Sequence, residues 1–377
     1  MQIIISAAVI VLSVILFRVK CVSTQIKGPI NNSKRKASEL PPNPSKKTAP
    51  IEALNDLNWK LIERRRQRVF KPIYNISMGI KRDTPSEHIT IDEGYLERIY
   101  HRKELIAAYP DTVLGFISGG EEPVRELYSY MLTDYLPVRF PAMFQLSNNG
   151  HDFTNLVTGQ IYPIQAPIDI KGALRSLGEI VEEELFLLTP SPSGHRVVAY
   201  ICCFPSGFNP ARLLGQNLDS IHKPVPGYEK IGPSMERYLQ RLEIDKPVKR
   251  SNWTVQQHPE LLDCEVNDRL KKLRTYRKSR IRYETRESPY LSKTLARLPP
   301  QTFLRSELQT LSRLPKTGAV LFTIKTYMYN ICEIKEEGRG CEFAEAIEGL
   351  RKGNVPGMWE YKGAERWGGD GVQVSSQ

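Results

Sequence analysis

Three stretches of the chain carry apolar residues at the spacing of an amphipathic helix. Residues 95–109 predict one helix, and residues 121–135 predict a second whose acidic first turn suits the helix dipole. Asp169 is placed to cap a third helix that runs through Glu184. The acidic run 182–184 at its end is expected to be solvated, and we do not expect a metal site there.

Two other stretches are apolar at nearly every position, which is typical of strands covered on both faces. The first, residues 196–204, forms a predicted hairpin with residues 185–189 across the turn SPSG. The second is residues 319–331. Residues 247–255 indicate a further extended segment, with Trp253 directed inward.

The segment FLRSELQTLSRL, residues 303–314, fits two structures. Its leucines recur at helical spacing, which favours a helix. In an extended chain alternate residues face the same side, so that Arg305, Glu307 and Gln309 would line one face. Both structures remain open at this point.

A histidine stands at the end of a predicted helix. Asn209 and Pro210 are a favourable N-cap and first residue, and Pro224 stops the helix shortly after His222. The ring of His222 can therefore point inward from a rigid position. The alternative is a structural histidine whose ring interacts with the carbonyl groups at the helix end.

The first 20 residues begin with the apolar run MQIIISAAVIVLSVILF, which reaches the lower limit of roughly 17–25 residues for a membrane-spanning helix. Basic residues follow this run, and such residues stay on the cytoplasmic side. We therefore expect residues 1–20 to be a single-pass signal anchor, in the endoplasmic reticulum, with the body in the cytosol. The alternative is a signal peptide cleaved near residues 21–23, which would give a secreted protein.

The net charge of +11 is concentrated in two segments. Residues 1–50 hold eight Lys and Arg against one Glu, and residues 269–286 hold nine against one. The rest of the chain is mildly acidic, so we expect no nucleic-acid-binding surface on the fold. Residues 21–55 are predicted to be a disordered basic linker, residues 265–299 a basic insertion or loop, and residues 364–377 a flexible tail.

The sequence lacks the common signatures of nucleotide binding and hydrolysis. GxGxxG, GxxxxGK[ST], GxSxG and HExxH are absent, and the six cysteines include no CxxC pair. The cysteines do not form the dense pattern of a disulfide framework, which favours reduced thiols. If this chain is an enzyme, it is expected to take its chemistry from a cofactor.

The body of the chain resembles a known family. Six segments carry the resemblance, in order along the chain: PVRFP, FPSGFNP, SIHKPVPGY, RSNW, LRSELQTLSRLPKTGA and LFTIKTY. They are similar to the heme-dependent oxidative N-demethylase alpha-subunit-like proteins, in particular their fungal members. The resemblance implies one α+β domain over residues 56–264 and 300–363, with a PAS-like antiparallel sheet flanked by helices and enclosing heme b.

The same resemblance implies a reaction. The bacterial enzyme of this family oxidatively demethylates a small secondary amine with dioxygen and releases formaldehyde. Its electrons pass from NADPH through a flavin and an iron–sulfur cluster on partner subunits. This chain contains none of those modules, so a separate electron-donor reductase is implied, and the predicted anchor suggests a membrane-bound one.

Residue roles also follow from the resemblance. The histidine of IHKPVP, His222, is the implied axial ligand of the heme iron. The other implied site residues are Arg250 for cofactor binding and, as catalytic candidates in the polar wall of the pocket, Arg305, Glu307, Gln309 and Tyr327.

Two other functions remain open. One is a non-catalytic heme- or ligand-binding PAS-like module tethered to a membrane. The other is a membrane-associated adaptor that has lost heme. Heme binding and formaldehyde release separate the three functions.

Overall fold

Two antiparallel sheets form the framework of the protein. The computed structural model describes residues 50–66, 68–263 and 302–364. The strands of these residues are β1 Lys81–Arg82, β2 Leu114–Phe116, β3 Phe144–Leu146, β4 Asp152–Asn155, β5 Gln160–Pro163, β6 Glu184–Thr189, β7 Arg196–Ile201, β8 Val248–Gln256, β9 Phe303–Arg313 and β10 Val320–Asn330. The main sheet has the order β1-β8-β9-β10-β6-β7-β2, and the smaller one has the order β3-β4-β5.

Helices cover the main sheet on both sides. They are α1 Tyr95–Ala108, α2 Pro110–Val113, α3 Glu121–Ser129, α4 Leu136–Arg139, α5 Ile170–Gly178, α6 Leu218–His222 and α7 Gly232–Arg241, followed by three C-terminal helices, Ile331–Glu336, Gly340–Glu348 and Met358–Tyr361. This arrangement confirms the expected antiparallel sheet flanked by helices and the α+β class.

The hairpin of β6 and β7 divides the protein into two hydrophobic cores, as its continuous apolar sequence predicts. Phe186 and Leu188 belong to one core cluster, whereas Leu185 and Leu187 belong to the other. Because successive side chains of a strand point to opposite faces, a strand buried on both sides is apolar at most of its positions. The predicted hairpin is therefore confirmed.

Strands β9 and β10 are the longest in the main sheet and pair along their whole length. The register runs from Arg313 opposite Val320 to Phe303 opposite Asn330. The turn between them is held by Glu126, whose carboxylate oxygens accept hydrogen bonds from the backbone N–H groups at positions 316 and 317 at 2.6 and 2.7 Å. The helix expected over residues 303–314 is wrong, and the extended alternative is confirmed.

The second and third predicted helices differ in outcome. The helix expected over residues 121–135 is confirmed, with α-helical geometry to Ser129 and π-helical geometry over Tyr130–Tyr135. The helix capped by Asp169 ends at Gly178 rather than Glu184. Residues 182–184 are buried and not solvated, because each side chain has polar partners inside the protein.

The segment leading to His222 contains two short helices instead of one. Residues Pro210–Leu213 form a 3-10 helix, and α6 begins anew after Asn217, whose side chain accepts a hydrogen bond from the backbone N–H of Ser220. Between them Gly215 has a φ of +76°, a backbone conformation that favours glycine over other residues. As predicted, His222 lies in the last turn of its helix.

Several predicted segments lie outside the described residues. They are the signal anchor over residues 1–20, most of the linker over 21–55, the insertion over 265–299 and nearly all of the tail over 364–377. Among the residues that the structure describes, no helix is long and apolar enough to cross a membrane.

Candidate functional site

Polar side chains form a continuous stripe across two central strands of the main sheet. The stripe consists of Arg250 and Asn252 on β8 and of Arg305, Glu307 and Gln309 on β9. Arg250 pairs with Gln309, and Asn252 pairs with Glu307, so these side chains share one face. We call this group the polar stripe.

Glu307 is the centre of the polar stripe. Its carboxylate accepts hydrogen bonds from Gln309 Nε2 at 3.0 Å and Asn252 Nδ2 at 3.3 Å, and Arg305 Nε lies 3.5 Å away. The Glu307 side chain is buried, and a buried carboxylate is stable only when it is paired and hydrogen-bonded. The three surrounding donors therefore hold Glu307 in one position.

Arg305 serves the fold as well as the polar stripe. Its Nη1 donates to the carbonyl oxygen of Leu261 at 3.0 Å, and its Nη2 donates to the carbonyl oxygen of Phe204. Arg305 thus ties β9 to the segments that follow β7 and β8. The two backbone hydrogen bonds fix the guanidinium in place. Because its Nε faces the carboxylate of Glu307, Arg305 helps to position Glu307.

A cavity of about 340 Å³ lies beside the Arg250 end of the polar stripe. Arg250 is only 8% exposed, and its Nε and Nη1 atoms have no hydrogen-bond partner among the described residues. Lys362, from the end of the chain, donates to Asn252 Oδ1 at 3.3 Å on the same wall. Tyr74 and Trp253 add aromatic surface to the cavity.

Both cations at the cavity are held in an environment that disfavours their charge. Burial lowers the pKa of Arg250 to about 10, against the opposing effect of Tyr74 and Glu307. Burial lowers the pKa of Lys362 to about 8, with Glu307 opposing and Arg250 adding to the shift. A bound carboxylate or other anion would remove this penalty, because it would supply the missing opposite charge. The cavity therefore suits an anionic group.

Replacing Lys362 is expected to change how stability depends on pH. Its folded pKa of about 8 lies below the ordinary value of 10.5, so the unfolded chain binds more protons between these values. The free energy of unfolding of the wild-type protein should therefore include a contribution that rises between about pH 8 and 10.5, and Lys362→Met should lack this contribution. Urea unfolding from pH 7.5 to 10.5 measures the difference. Lys352→Met, at an exposed position, is the control; equal slopes in Lys362→Met and wild type would contradict the expectation.

His222 is fully buried in the core. Its Nδ1 lies 2.6 Å from the carbonyl oxygen of Leu218, and its ring stacks on Tyr228 with centroids 4.6 Å apart. Since a carbonyl oxygen only accepts, Nδ1 carries the proton, and the lone pair of the neutral ring is on Nε2. This is the tautomer that an iron ligand requires, and the bond also matches the structural alternative of a ring bound to a helix carbonyl.

The helix that carries His222 packs in one of the two core clusters. Leu218 and Tyr228 belong to this cluster, which includes residues from both faces of the sheet, such as Ile324 on the face of Gln309 and Tyr327 on the opposite face. His222 itself lines neither the cavity beside Arg250 nor the second cavity described below.

Tyr327 is separated from the other predicted catalytic residues. It pairs with Ser306, and therefore points to the opposite face from Arg305 and Glu307. Its neighbour Lys325 lies on that face, 5.7 Å from the Tyr327 ring, in a buried ionic cluster. The structure thus brings together four of the six predicted site residues on one stripe, places His222 in the core beyond them, and leaves Tyr327 on the other side.

The ionic cluster around Lys325 links the main sheet to the segment that precedes α1. Lys325 Nζ lies 2.7 Å from Glu182 Oε1, 3.3 Å from Asp92 Oδ2 and 2.7 Å from the carbonyl oxygen of Thr90. Burial alone would lower the pKa of Lys325, but Glu182 and Asp92 overcome this effect and raise it. Burial raises the pKa of Glu183 to about 7.

Asn252, Tyr74 and Lys362 line the cavity and were not among the site residues predicted from the sequence. Asn252 lies two residues after Arg250 in a strand, and this spacing is a signal that could have identified it. Tyr74 and Lys362 come from segments that show no periodic pattern, and only the folded chain brings them to β8.

A comparison with models of protein families shows to which family the chain belongs. The family model described as "Haem-dependent oxidative N-demethylase, alpha subunit-like" matches residues 79–371. The chain belongs to this family. The match covers the described strands from β1 to β10 and all the predicted site residues, and so confirms the resemblance that the sequence segments indicated.

The residues of this N-demethylase alpha-subunit-like protein fit parts of a heme. The two carboxylates of a heme match the unpartnered nitrogens of Arg250 and the ammonium of Lys362. Aromatic and aliphatic side chains, Tyr74, Trp253 and Leu308, also line that cavity and suit an apolar ring edge. His222 has the tautomer that leaves Nε2 free to bind a metal, so it is the residue that would hold the iron.

Proposed function

We propose that this chain is a heme-dependent oxidase or monooxygenase of the N-demethylase type, acting on a small amine with electrons from a separate reductase. In the overall reaction an N-methyl amine, dioxygen, two electrons and two protons would give the demethylated amine, formaldehyde and water. The single observation that carries the proposal, beyond family membership, is the cavity with unpartnered cationic nitrogens beside the polar stripe.

Arg250 and Lys362 would hold the carboxylates of heme b. Both side chains lie on the wall of one cavity, and Arg250 has two donors to offer. Hydrogen bonds between a guanidinium and a carboxylate are shorter and stronger than those between neutral groups. When bound, heme supplies one-electron and dioxygen chemistry that no side chain of the protein can provide.

His222 would hold the heme iron. The hydrogen bond from Nδ1 to the carbonyl of Leu218 and the stacked ring of Tyr228 both restrain the imidazole. In a metal-bound histidine, a hydrogen bond from the ring nitrogen that does not bind the metal fixes the orientation of the ring and raises its basicity.

Glu307 would orient the amine. A carboxylate accepts N–H donors, and Glu307 is positioned by Gln309, Asn252 and Arg305. A fixed acceptor of this kind would hold the nitrogen of the substrate in one place, and the buried surroundings exclude bulk water from it. In this proposal Arg305 and Gln309 position Glu307, and Tyr327 has no contact with the amine.

The membrane and the reductase remain part of the proposal. The apolar run at residues 1–20 would anchor the chain in the endoplasmic reticulum with the body in the cytosol, and the reductase would be a membrane protein. The chain and its electron donor would then meet by diffusion within the same membrane.

The proposal is tested with the full-length chain loaded with heme b. Formaldehyde is measured after adding a panel of small N-methyl amines, dioxygen and a chemical reductant. We expect turnover with at least one amine, and we expect Glu307→Gln to lose it by raising KM while heme absorbance is unchanged. Asp152→Asn, in the small sheet, is the control and should behave as wild type.

A non-catalytic ligand-binding module is the second candidate function. The observation that favours it is the pair of unpartnered nitrogens of Arg250 at the cavity, which would hold an anionic ligand even without heme. Heme binding without formaldehyde release, for every amine tested, would support this candidate and contradict the first.

A further inference from the structure

A second cavity, of about 390 Å³, lies apart from the polar stripe and shares no lining residue with the first cavity. It opens between the 3-10 helix Pro85–Glu87, the π-helical turn Tyr130–Tyr135 and the end of β9. Its polar lining includes His88, Tyr130, Asp134 and Asp245, and prolines form much of the remaining wall.

His88 is the most informative residue of this cavity. It is 7% exposed, and neither of its ring nitrogens has a hydrogen-bond partner among the described residues. The ring is held in place by Tyr135, on which it stacks with centroids 5.7 Å apart. Burial lowers the pKa of His88 to about 4, so the ring is neutral at physiological pH and offers one donor and one acceptor. Buried polar groups normally have partners, and a ligand in the cavity would supply them.

The charges around the cavity favour a cation. Asp134 and Asp245 line it, and both carboxylates contribute to raising the pKa of the Tyr130 phenol, after burial. The cationic side chain in the lining, Arg313, donates to the carbonyl oxygens of Leu242 and Gly318 at 2.6 Å each. A third hydrogen bond goes to the carbonyl of Leu239, so each guanidinium nitrogen of Arg313 already donates to a backbone carbonyl.

We propose that the cavity beside His88 binds a small organic cation, a protonated amine with an apolar body. The ammonium group donates to the acceptor nitrogen of His88 and is attracted by the carboxylates of Asp134 and Asp245. The aromatic face of Tyr130 and the proline and valine side chains of the wall contact the apolar body. The volume is at the lower end of the range for small-molecule sites, about 300–1,000 Å³.

This site goes beyond the proposed oxidation of an amine. It shares no residue with the polar stripe, and binding there does not depend on heme. The cavity is separate from the residues proposed to hold heme, so a cation seated at His88 would act as a second ligand of the protein and not as the group that is oxidised.

The test uses the full-length chain, without heme and loaded with heme, and three probes of one shape. They are phenethylammonium, the neutral 2-phenylethanol and the anionic phenylacetate, each measured by isothermal titration calorimetry. We expect the ammonium to bind, and to bind about tenfold or more tightly than the alcohol, because a charged hydrogen bond is worth more than a neutral one. Equal affinity in the presence and absence of heme is expected.

Two conservative variants assign the binding to this cavity. Asp245 has a φ of +63°, a conformation that asparagine also tolerates, so Asp245→Asn removes the charge without straining the backbone. His88→Phe keeps the ring stacked on Tyr135 and removes both nitrogens. Each is expected to weaken phenethylammonium binding about tenfold, whereas Asp152→Asn should leave it unchanged.

The outcomes separate clearly. Binding of the ammonium that both variants weaken supports the proposal. Equal affinity for the three probes, tighter binding of phenylacetate, or no binding of the ammonium would each overturn it. Ammonium binding that Glu307→Gln abolishes and His88→Phe leaves intact would also overturn it, since that result assigns the amine to the polar stripe.

Discussion

Lys325→Met is expected to destabilise the protein by about 3–5 kcal/mol, because it removes the only cation in hydrogen-bond contact with Glu182 among the described residues. The carboxylate of Glu182 and its neighbour Asp92 would remain buried without that partner. Urea unfolding followed by tryptophan fluorescence measures the loss. The effect should grow with pH, as the raised pKa values of Glu182 and Glu183 let these groups take up protons at low pH.

The sign of this pH dependence follows from linkage. A carboxylate whose folded pKa lies above its unfolded value of 4.5 favours the folded state at low pH and loses this contribution as the pH rises through the folded pKa. Lys325 lowers the pKa values of Glu182 and Glu183, so its loss should raise them further, and Lys325→Met should cost less at pH 5 than at pH 8. The double variant Lys325→Met, Glu182→Gln should recover part of the loss. Lys316→Met, at an exposed position of the β9–β10 turn, is the control, and a similar loss in both lysine variants would contradict the ionic role.

His222→Ala is expected to abolish the sharp Soret band of histidine-ligated heme and to leave only the broad absorbance of unligated heme, because the proposed iron ligand is removed. His222→Gln should lose the sharp band too, although its side-chain amide can still donate to the carbonyl of Leu218. Added imidazole should restore the spectrum of ligated heme in His222→Ala, and it should leave the wild-type spectrum unchanged. Absorption spectroscopy of the three proteins after heme loading measures the effect.

The structural alternative for His222 predicts a different pattern. If the ring only satisfies the carbonyl of Leu218 and stacks on Tyr228, His222→Ala would lower stability while heme absorbance per folded chain stayed unchanged. His222→Gln would then recover part of the stability. Thermal unfolding measured beside the spectrum distinguishes the two roles, and an unchanged Soret band in folded His222→Ala would contradict ligation.

The strand β9 shows why part of the site could not be predicted. Its leucines recur at helical spacing, and its polar residues recur at the period of a strand. The tertiary structure decides between the two patterns, because β8 and β10 pair with β9 along both edges. Polar residues in such a covered strand are tolerated only because they bond to one another, as Gln309 and Glu307 do.

The acidic run at residues 182–184 was misjudged for a related reason. Three successive carboxylates predict solvent exposure, and their partners lie far away in the sequence. Glu182 pairs with Lys325, and Glu184 pairs with Arg102. A single sequence contains no local signal for such long-range pairs, whereas the hairpin of β6 and β7 was predictable because its pattern and turn are local.

The most direct test of heme binding is a titration of heme b into the full-length, heme-free protein, followed by visible absorbance. We expect a Soret band that saturates at one heme per chain. Arg250→Met should weaken the affinity by about 10- to 100-fold, as expected for the loss of a charged hydrogen bond, and the exposed Arg241→Met should not. Absorbance that never saturates and equals that of free heme, or equal affinities in both arginine variants, would contradict the proposed heme site.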